Sequence, residues 1–144
     1  MSEGKSVLFL CSGNSARSQM AEGFIKHLSH GGWRVESAGI FPSYVHPLAI
    51  RVMEEVGIDI SEQTSKSMDL FLNETFDYVI TLCEHAARFC PSFPGQGKRL
   101  NWSFDDPAAV VGTIEERLVV FRRVRDEIRA KIEDFLKSEA PEST

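Results

Sequence analysis

Short apolar runs alternate with stretches of helical periodicity along this 144-residue chain, and that alternation narrows the fold more than any other feature. Residues 6–10, Ser-Val-Leu-Phe-Leu, read as a buried strand running into a glycine-containing turn. Met20, Ala21, Phe24, Ile25 and Leu28 then recur at helical spacing over 16–29, and Gly31-Gly32 stops that helix. A second strand is expected over 33–37. A helix over 46–56 carries Pro47 in its first turn, Ala49, Val52, Met53 and Val56 on its apolar face, and Gly57 at its end. Residues 64–72 suggest a short helix, 76–82 a third strand that delivers Cys83, and 91–97 a loop. A fourth strand over 98–102 leads to Phe104-Asp105-Asp106-Pro107. The last helix, over 115–137, has Leu118, Phe121, Val124, Ile128, Ile132 and Phe135 as its apolar stripe, and 138–144 read as a flexible tail. The implied fold is α/β: one domain spanning 1–144, with a parallel sheet and right-handed crossovers. Ligands of such sheets bind beyond the carboxyl ends of the strands, and Cys11, Cys83 and Asp106 all follow strand ends.

Composition excludes several function classes. With 42% hydrophobic and 26% charged residues the chain has the balance of a soluble globular domain, and no apolar run approaches the roughly 20 residues of a membrane span. The first five residues carry no signal-peptide pattern, so a cytoplasmic location is expected. A net charge of −5 without a basic stretch argues against nucleic acid as a partner. Three cysteines are too few, and odd in number, for a secreted disulfide framework, and the four histidines are too scattered for a zinc site. A monomer is the default expectation.

Residues 11–18, Cys-Ser-Gly-Asn-Ser-Ala-Arg-Ser, stand between the first strand and the first helix. The small and turn-forming residues Ser12, Gly13, Asn14, Ser15 and Ala16 let the loop curl so that successive N–H groups point into one hollow. The following helix adds its positive end, and the planar fork of Arg17 matches two oxygens of a tetrahedral oxyanion. Cys11 at the floor of such a cup is favoured as thiolate, the nucleophilic form. Gly13 suits close backbone approach or a positive φ, Asn14 tolerates left-handed geometry, and Ser15 and Ser18 are candidate donors to the Cys11 sulfur.

The string over residues 7–24 resembles the opening of the low-molecular-weight tyrosine phosphatase superfamily. Ser37-Ala38-Gly39, His46-Pro47, Gly57-Ile58-Asp59-Ile60, Thr81-Leu82-Cys83 and Trp102-Ser103-Phe104-Asp105-Asp106-Pro107-Ala108 are similar to its arsenate reductase branch, the type coupled to thioredoxin. The resemblance covers roughly residues 5–137 and implies a four-stranded parallel sheet flanked by helices. It implies Cys11 as nucleophile, Arg17 as oxyanion clamp, Asp106 as the acid before proline, and Cys83 and Cys90 as the second and third redox cysteines. The implied cycle reduces arsenate, with phosphate and sulfate as analogues, through a Cys11–Cys83 and then a Cys83–Cys90 disulfide. The resemblance implies no bound cofactor and thioredoxin as the source of electrons; glutaredoxin or mycothiol are the other donors the sequence leaves open.

Two other readings share the same cup. A tyrosine phosphatase of this superfamily needs only Cys11, Arg17 and the acid, but carries aromatic residues after Asp-Pro, where this chain has Ala108-Ala109. A non-catalytic oxyanion or redox sensor would bind without turnover. The chain departs from relatives at Ala16, where many have a fourth cysteine. It departs again behind the loop, where some relatives hold potassium through residues matching Asn14, Glu22 and Ser37 plus an acidic residue. Here Lys66 takes the acidic position, opposes a cation and is expected to bring its ammonium near Glu22, making activity independent of potassium. One geometric demand accompanies the relay. If 83–90 is helical, seven residue steps separate Cys83 and Cys90 by about 10.5 Å, and a disulfide needs Cα atoms within roughly 4.4–6.8 Å.

Overall fold

The computed structural model describes residues 5–90 and 97–139. Four strands, β1 (Ser6–Cys11), β2 (Arg34–Gly39), β3 (Tyr78–Thr81) and β4 (Lys98–Asn101), form one sheet in the order β2-β1-β3-β4, every neighbouring pair parallel. The intervening chain supplies α1 (Arg17–Leu28), α2 (Pro47–Glu55), α3 (Glu84–Phe89) and the terminal α4 (Ile114–Glu139). The α/β architecture expected from the alternating pattern is the one observed.

β1 lies between two neighbours, and its continuous apolar run reflects burial on both faces: Val7, Leu8, Phe9 and Leu10 have no exposed surface. Leu118, Phe121, Val124, Ile128 and Ile132 are equally inaccessible, so the 3.6-residue stripe of α4 is the face that meets the core. Each such side chain contributes roughly 1.5–3 kcal/mol of burial free energy. α1, α2 and α4 pack against one another. Trp102 is buried with its ring against Phe9 and Phe135, and Trp33 packs on Tyr78 and Phe135.

Several boundaries move, each for a local reason. β1 continues through Cys11 because Cys11 pairs with Gly39. β2 is displaced to Arg34–Gly39, leaving Trp33 outside the ladder. The helix anticipated over 64–72 is a single 3-10 turn, Met68–Phe71, started by the Ser67 hydroxyl accepting from the Asp69 amide. α4 begins earlier than its apolar stripe because Thr113 and Glu116 form a capping box, each side chain bonded to the other's backbone N–H. It also ends later: Ser138, assigned above to a flexible tail, is helical, and its hydroxyl donates to the Phe135 carbonyl. The rest of that tail, 140–144, and residues 91–96 of the expected loop lie outside the described residues.

The two central strands aim their ends at one place. Leu10 pairs with Thr81, and the Leu82 amide donates to the Leu10 carbonyl at 2.9 Å, so Cys11 and Cys83 emerge side by side. The chain leaving β4 is bonded back to the same edge, with the Phe104 amide on the Leu82 carbonyl.

Candidate active site

The loop between β1 and α1 is shaped by where its carbonyls go. Cys11 O accepts from the Ile40 amide, Ser12 O from Phe41, Gly13 O from Ser43, Ser15 O from His46, and Ala16 O from Met20. Asn14 O accepts from the Gln19 side chain. Gly13 O is held twice more, by the hydroxyls of Ser43 and Ser65. Six successive carbonyls, Cys11 to Ala16, are thus engaged as acceptors, which suits the curled loop of an anion nest. Asn14 makes the bend, with φ 48°. Gly13 does not have a positive φ; the residue that needs the left-handed conformation is Asn14.

Buried side chains fix the loop from behind. The Asn14 amide donates to Ser18 Oγ at 2.8 Å and to Ser37 Oγ at 3.0 Å, while its Oδ1 accepts from the Lys66 amide at 2.7 Å. Ser18 Oγ lies 2.9 Å from Cys11 Sγ, so that hydroxyl touches the nucleophile as expected. Ser15 takes part through its backbone carbonyl. Cys11 itself is 2% exposed, at the floor of the cup.

Arg17 begins α1 and is 7% exposed. Its guanidinium donates to the Phe104 carbonyl at 3.1 Å and lies 3.6 Å from Asp106 Oδ2. This pair brings the Asp106 carboxylate, whose other oxygen caps the turn at Ala108, to the cup rim. Asp105 points elsewhere and pairs with Arg123 at 3.1 Å, which separates the two adjacent carboxylates by role. Cys83 caps α3: its sulfur accepts from the Ala86 amide at 3.4 Å and lies 3.7 Å from Ser12 Oγ. Cys90 closes the other end of α3. Burial pushes the Cys90 thiol above the usual range, against the opposing pull of Arg99. None of the three cysteines is joined in a disulfide.

The residues considered for potassium do not fit a resident cation. Glu22, 3% exposed, accepts the Ser37 hydroxyl at 2.6 Å on one oxygen and the Lys26 ammonium at 2.5 Å on the other. The ammonium near Glu22 is therefore that of Lys26, one turn along α1, and not Lys66, whose Nζ donates to the Thr64 carbonyl. Among the described residues no His, Cys, Asp and Glu cluster suited to a metal ion is found.

Sequence reasoning missed parts of the scaffold that arrive from afar. His46 caps α2 by accepting the Leu48 amide on Nδ1, and its own amide holds the Ser15 carbonyl. Burial and the nearby Arg117 push the His46 imidazole below its ordinary value, with Asp106 pulling the other way, which keeps Nδ1 free to accept. Ser43, Ser65, Gln19 and Lys26 belong to the same set. The His46-Pro47 pair and Gln19, inside the 7–24 string, were the visible signals among them.

A cysteine thiol beneath an anion nest, clamped by an arginine and rimmed by a carboxylate, defines a cysteine-dependent oxyanion enzyme. The model of the low molecular weight phosphotyrosine protein phosphatase family matches residues 6–143, and the chain belongs to that family. Arsenate reductase of Halalkalibacterium halodurans is 52% identical over 134 residues, covering 93% of this chain and 96% of the relative. A solved arsenate reductase in its phosphate-binding state superposes with a TM-score of 0.80 at 42% identity, over 93% of this chain and 98% of that one. A thioredoxin-dependent arsenate reductase of Corynebacterium glutamicum gives a TM-score of 0.69 at 29% identity, over 96% of this chain and 65% of its own.

Proposed function

We propose that this protein reduces arsenate to arsenite by passing oxidation from Cys11 to Cys83 to Cys90. The observation that carries the reading is the placement of Cys83: it leaves the strand beside β1, and Ser12 of the oxyanion loop bridges toward its sulfur at 3.7 Å. A phosphatase has no use for a second thiol there. The Halalkalibacterium halodurans relative, 52% identical over 93% of this chain, is an arsenate reductase.

In the first step Cys11 attacks arsenate held by the loop amides from Ser12 to Ser18 and by Arg17. Asp106 delivers a proton to the departing oxygen, so water leaves instead of hydroxide. In the second step the Cys83 sulfur attacks Cys11 Sγ; the sulfur–sulfur bond forms, the sulfur–arsenic bond breaks, and its electron pair reduces arsenic to arsenite. In the third step Cys90 attacks Cys83 and frees the Cys11 thiolate, leaving Cys83–Cys90 as the outgoing disulfide. A thioredoxin-type dithiol then returns the protein to its starting state, in a reducing cytoplasmic compartment and with the protein acting as a monomer. Potassium has no part in this cycle, because Lys26 already neutralises Glu22.

The phosphatase alternative is disfavoured by Ala108-Ala109, which provide no ring to stack on a phosphotyrosine. Cys83→Ser tests the assignment. The variant is expected to lose multiple turnover with arsenate, read as NADPH consumption with thioredoxin and thioredoxin reductase. It should keep any hydrolysis of a phosphate ester, which needs only Cys11, Arg17 and Asp106. Undiminished arsenate turnover in the variant would contradict the relay.

A further inference from the structure

The proposed cycle leaves one proton unassigned. Cys83 must shed its thiol proton to attack, and no carboxylate of the cup stands in hydrogen-bond contact with its sulfur among the described contacts. The structure offers a route. Ser12 Oγ lies 3.7 Å from Cys83 Sγ and 2.9 Å from His85 Nδ1, so one hydroxyl touches both groups. His85 sits two residues past Cys83 in the first turn of α3, and its exposed ring lies nearly parallel to Phe41, at 20° and 6.0 Å between centroids. Phe41 follows β2, whose chain is bonded to the oxyanion loop through the Phe41 amide and the Ser12 carbonyl. The imidazole is thus held against the same loop that holds the substrate.

We propose that His85 is a positioning residue that accepts the Cys83 proton through Ser12 in the second step, an inference that rests on the reductase reading. Neutral His85 carries its ring proton on Nε2 and accepts the Ser12 hydroxyl on Nδ1. Ser12 accepts the Cys83 S–H as its own proton moves to Nδ1. The Cys83 electron pair forms the bond to Cys11 Sγ, and the Cys11–arsenic bonding pair goes to arsenic, which is reduced from the pentavalent to the trivalent state. The imidazolium left on the exposed ring returns its proton to solvent. The protein contributes one proton and two electrons in this step, and no other reagent is needed.

The charged surroundings bear on the pH range. α3 itself contributes Glu84, which accepts from Ser103, and Arg88. The oxyanion loop and α1 contribute Cys11 and Arg17, and the segment after β4 contributes Asp105 and Asp106, each already paired with an arginine. Phe41, which stacks on the ring, is uncharged.

The experiment is single turnover with arsenate in a Cys90→Ser background, which halts the relay after the second step. The Cys11–Cys83 bridge is quantified by acid quench and mass spectrometry between about pH 6 and 9. With His85 present, bridge formation should rise through the imidazole range and level off. In His85→Asn, whose amide oxygen still accepts from Ser12 but takes no proton, the limb should move up to the free-thiol range near pH 8–9. The rate near pH 7 should fall roughly tenfold or more and recover at high pH. Ser12→Ala should behave alike, and adding His85→Asn to it should cost nothing further. An unchanged profile in His85→Asn overturns the proposal, and so does an equal loss at every pH, which marks a purely structural role. Absence of the bridge at every pH in the His85-containing protein overturns the reductase reading itself, and this inference with it.

Discussion

A methyl group at position 39 would lie 2.8 Å from both the Asn14 amide nitrogen and the Ser12 carbonyl oxygen, two backbone atoms of the oxyanion loop. Neither can move without moving the nest. Gly39→Ala is therefore expected to cost about 1–3 kcal/mol of stability through overpacking and to raise the KM for arsenate; an unchanged Tm and KM would show that the loop yields easily. At this scale, residues whose partners lie close in sequence were legible from the chain. Cys11, Asn14, Arg17 and Ser18 fall within eight positions, and strand–turn–helix context was enough to place them in one cup. Ser43, Ser65 and Lys66 reach the same loop from 30 to 52 residues away, and only the fold brings them there. Lys66 is instructive. Its ammonium was expected near Glu22, but its backbone amide is what touches Asn14, while Lys26, an i+4 neighbour of Glu22, supplies the ammonium.

Elements hold the site by pairwise latches. Between α2 and α4, Glu55 accepts from Arg122 and from Arg125, and Arg125 also caps the Val52 carbonyl. The Arg122 hydrogen bonds, opposed by burial and reinforced by Arg125, hold the Glu55 carboxyl down from 4.5 to about 2. A carboxyl depressed on folding stabilises the fold above its unfolded value, and that contribution is lost as pH falls from about 4.5 toward 2. One third of the Glu55 side chain is exposed, so screening limits the effect to about 1 kcal/mol. Glu55→Gln should lower Tm near neutrality and converge with the parent protein at low pH; a Tm difference that is constant with pH would assign the effect to packing. The periodicity of α2 and α4 was plain in the sequence, but this latch was not, because the charged face of α4 reads as uniformly solvated until α2 is laid across it.

α3 is the element that must change. Cys83 and Cys90 stand at its two ends, seven residue steps apart, or about 10.5 Å for a helix, beyond the reach of a disulfide. Burial also pushes the Cys90 thiol up in this conformation, which disfavours its thiolate. Both obstacles disappear if the single helical segment Glu84–Phe89 unwinds. Amide exchange over 84–90 should be faster in the oxidised protein than in the reduced one, with β1 and β3 unchanged. Equal protection in the two states would mean the third thiol is reached some other way.

Across the whole molecule, two neighbouring parallel strands deliver two thiols to one end of the sheet, and the chain leaving the edge strand brings Asp106 to Arg17. The sheet ends in the loop that forms the nest on one side and in the short helix α3 between Cys83 and Cys90 on the other. That division was partly legible in the chain: a parallel sheet follows from the alternation of elements, and a helix over 83–90, considered as a condition, already carried the demand for rearrangement, whereas the order β2-β1-β3-β4 did not show in the sequence. The Ser12 bridge to Cys83 and His85 was not, since it joins residues 71 and 73 positions apart. The account stands on one event, the transfer of oxidation from the buried nucleophile to the outer thiol pair. Its most direct measurement is disulfide mapping, by alkylation and mass spectrometry, of protein exposed to arsenate without an external reductant. The account predicts a bridge between Cys83 and Cys90 with Cys11 alkylated as the free thiol, and a Cys11–Cys83 bridge when Cys90 is replaced by serine. Recovery of all three cysteines as free thiols after exposure would contradict it.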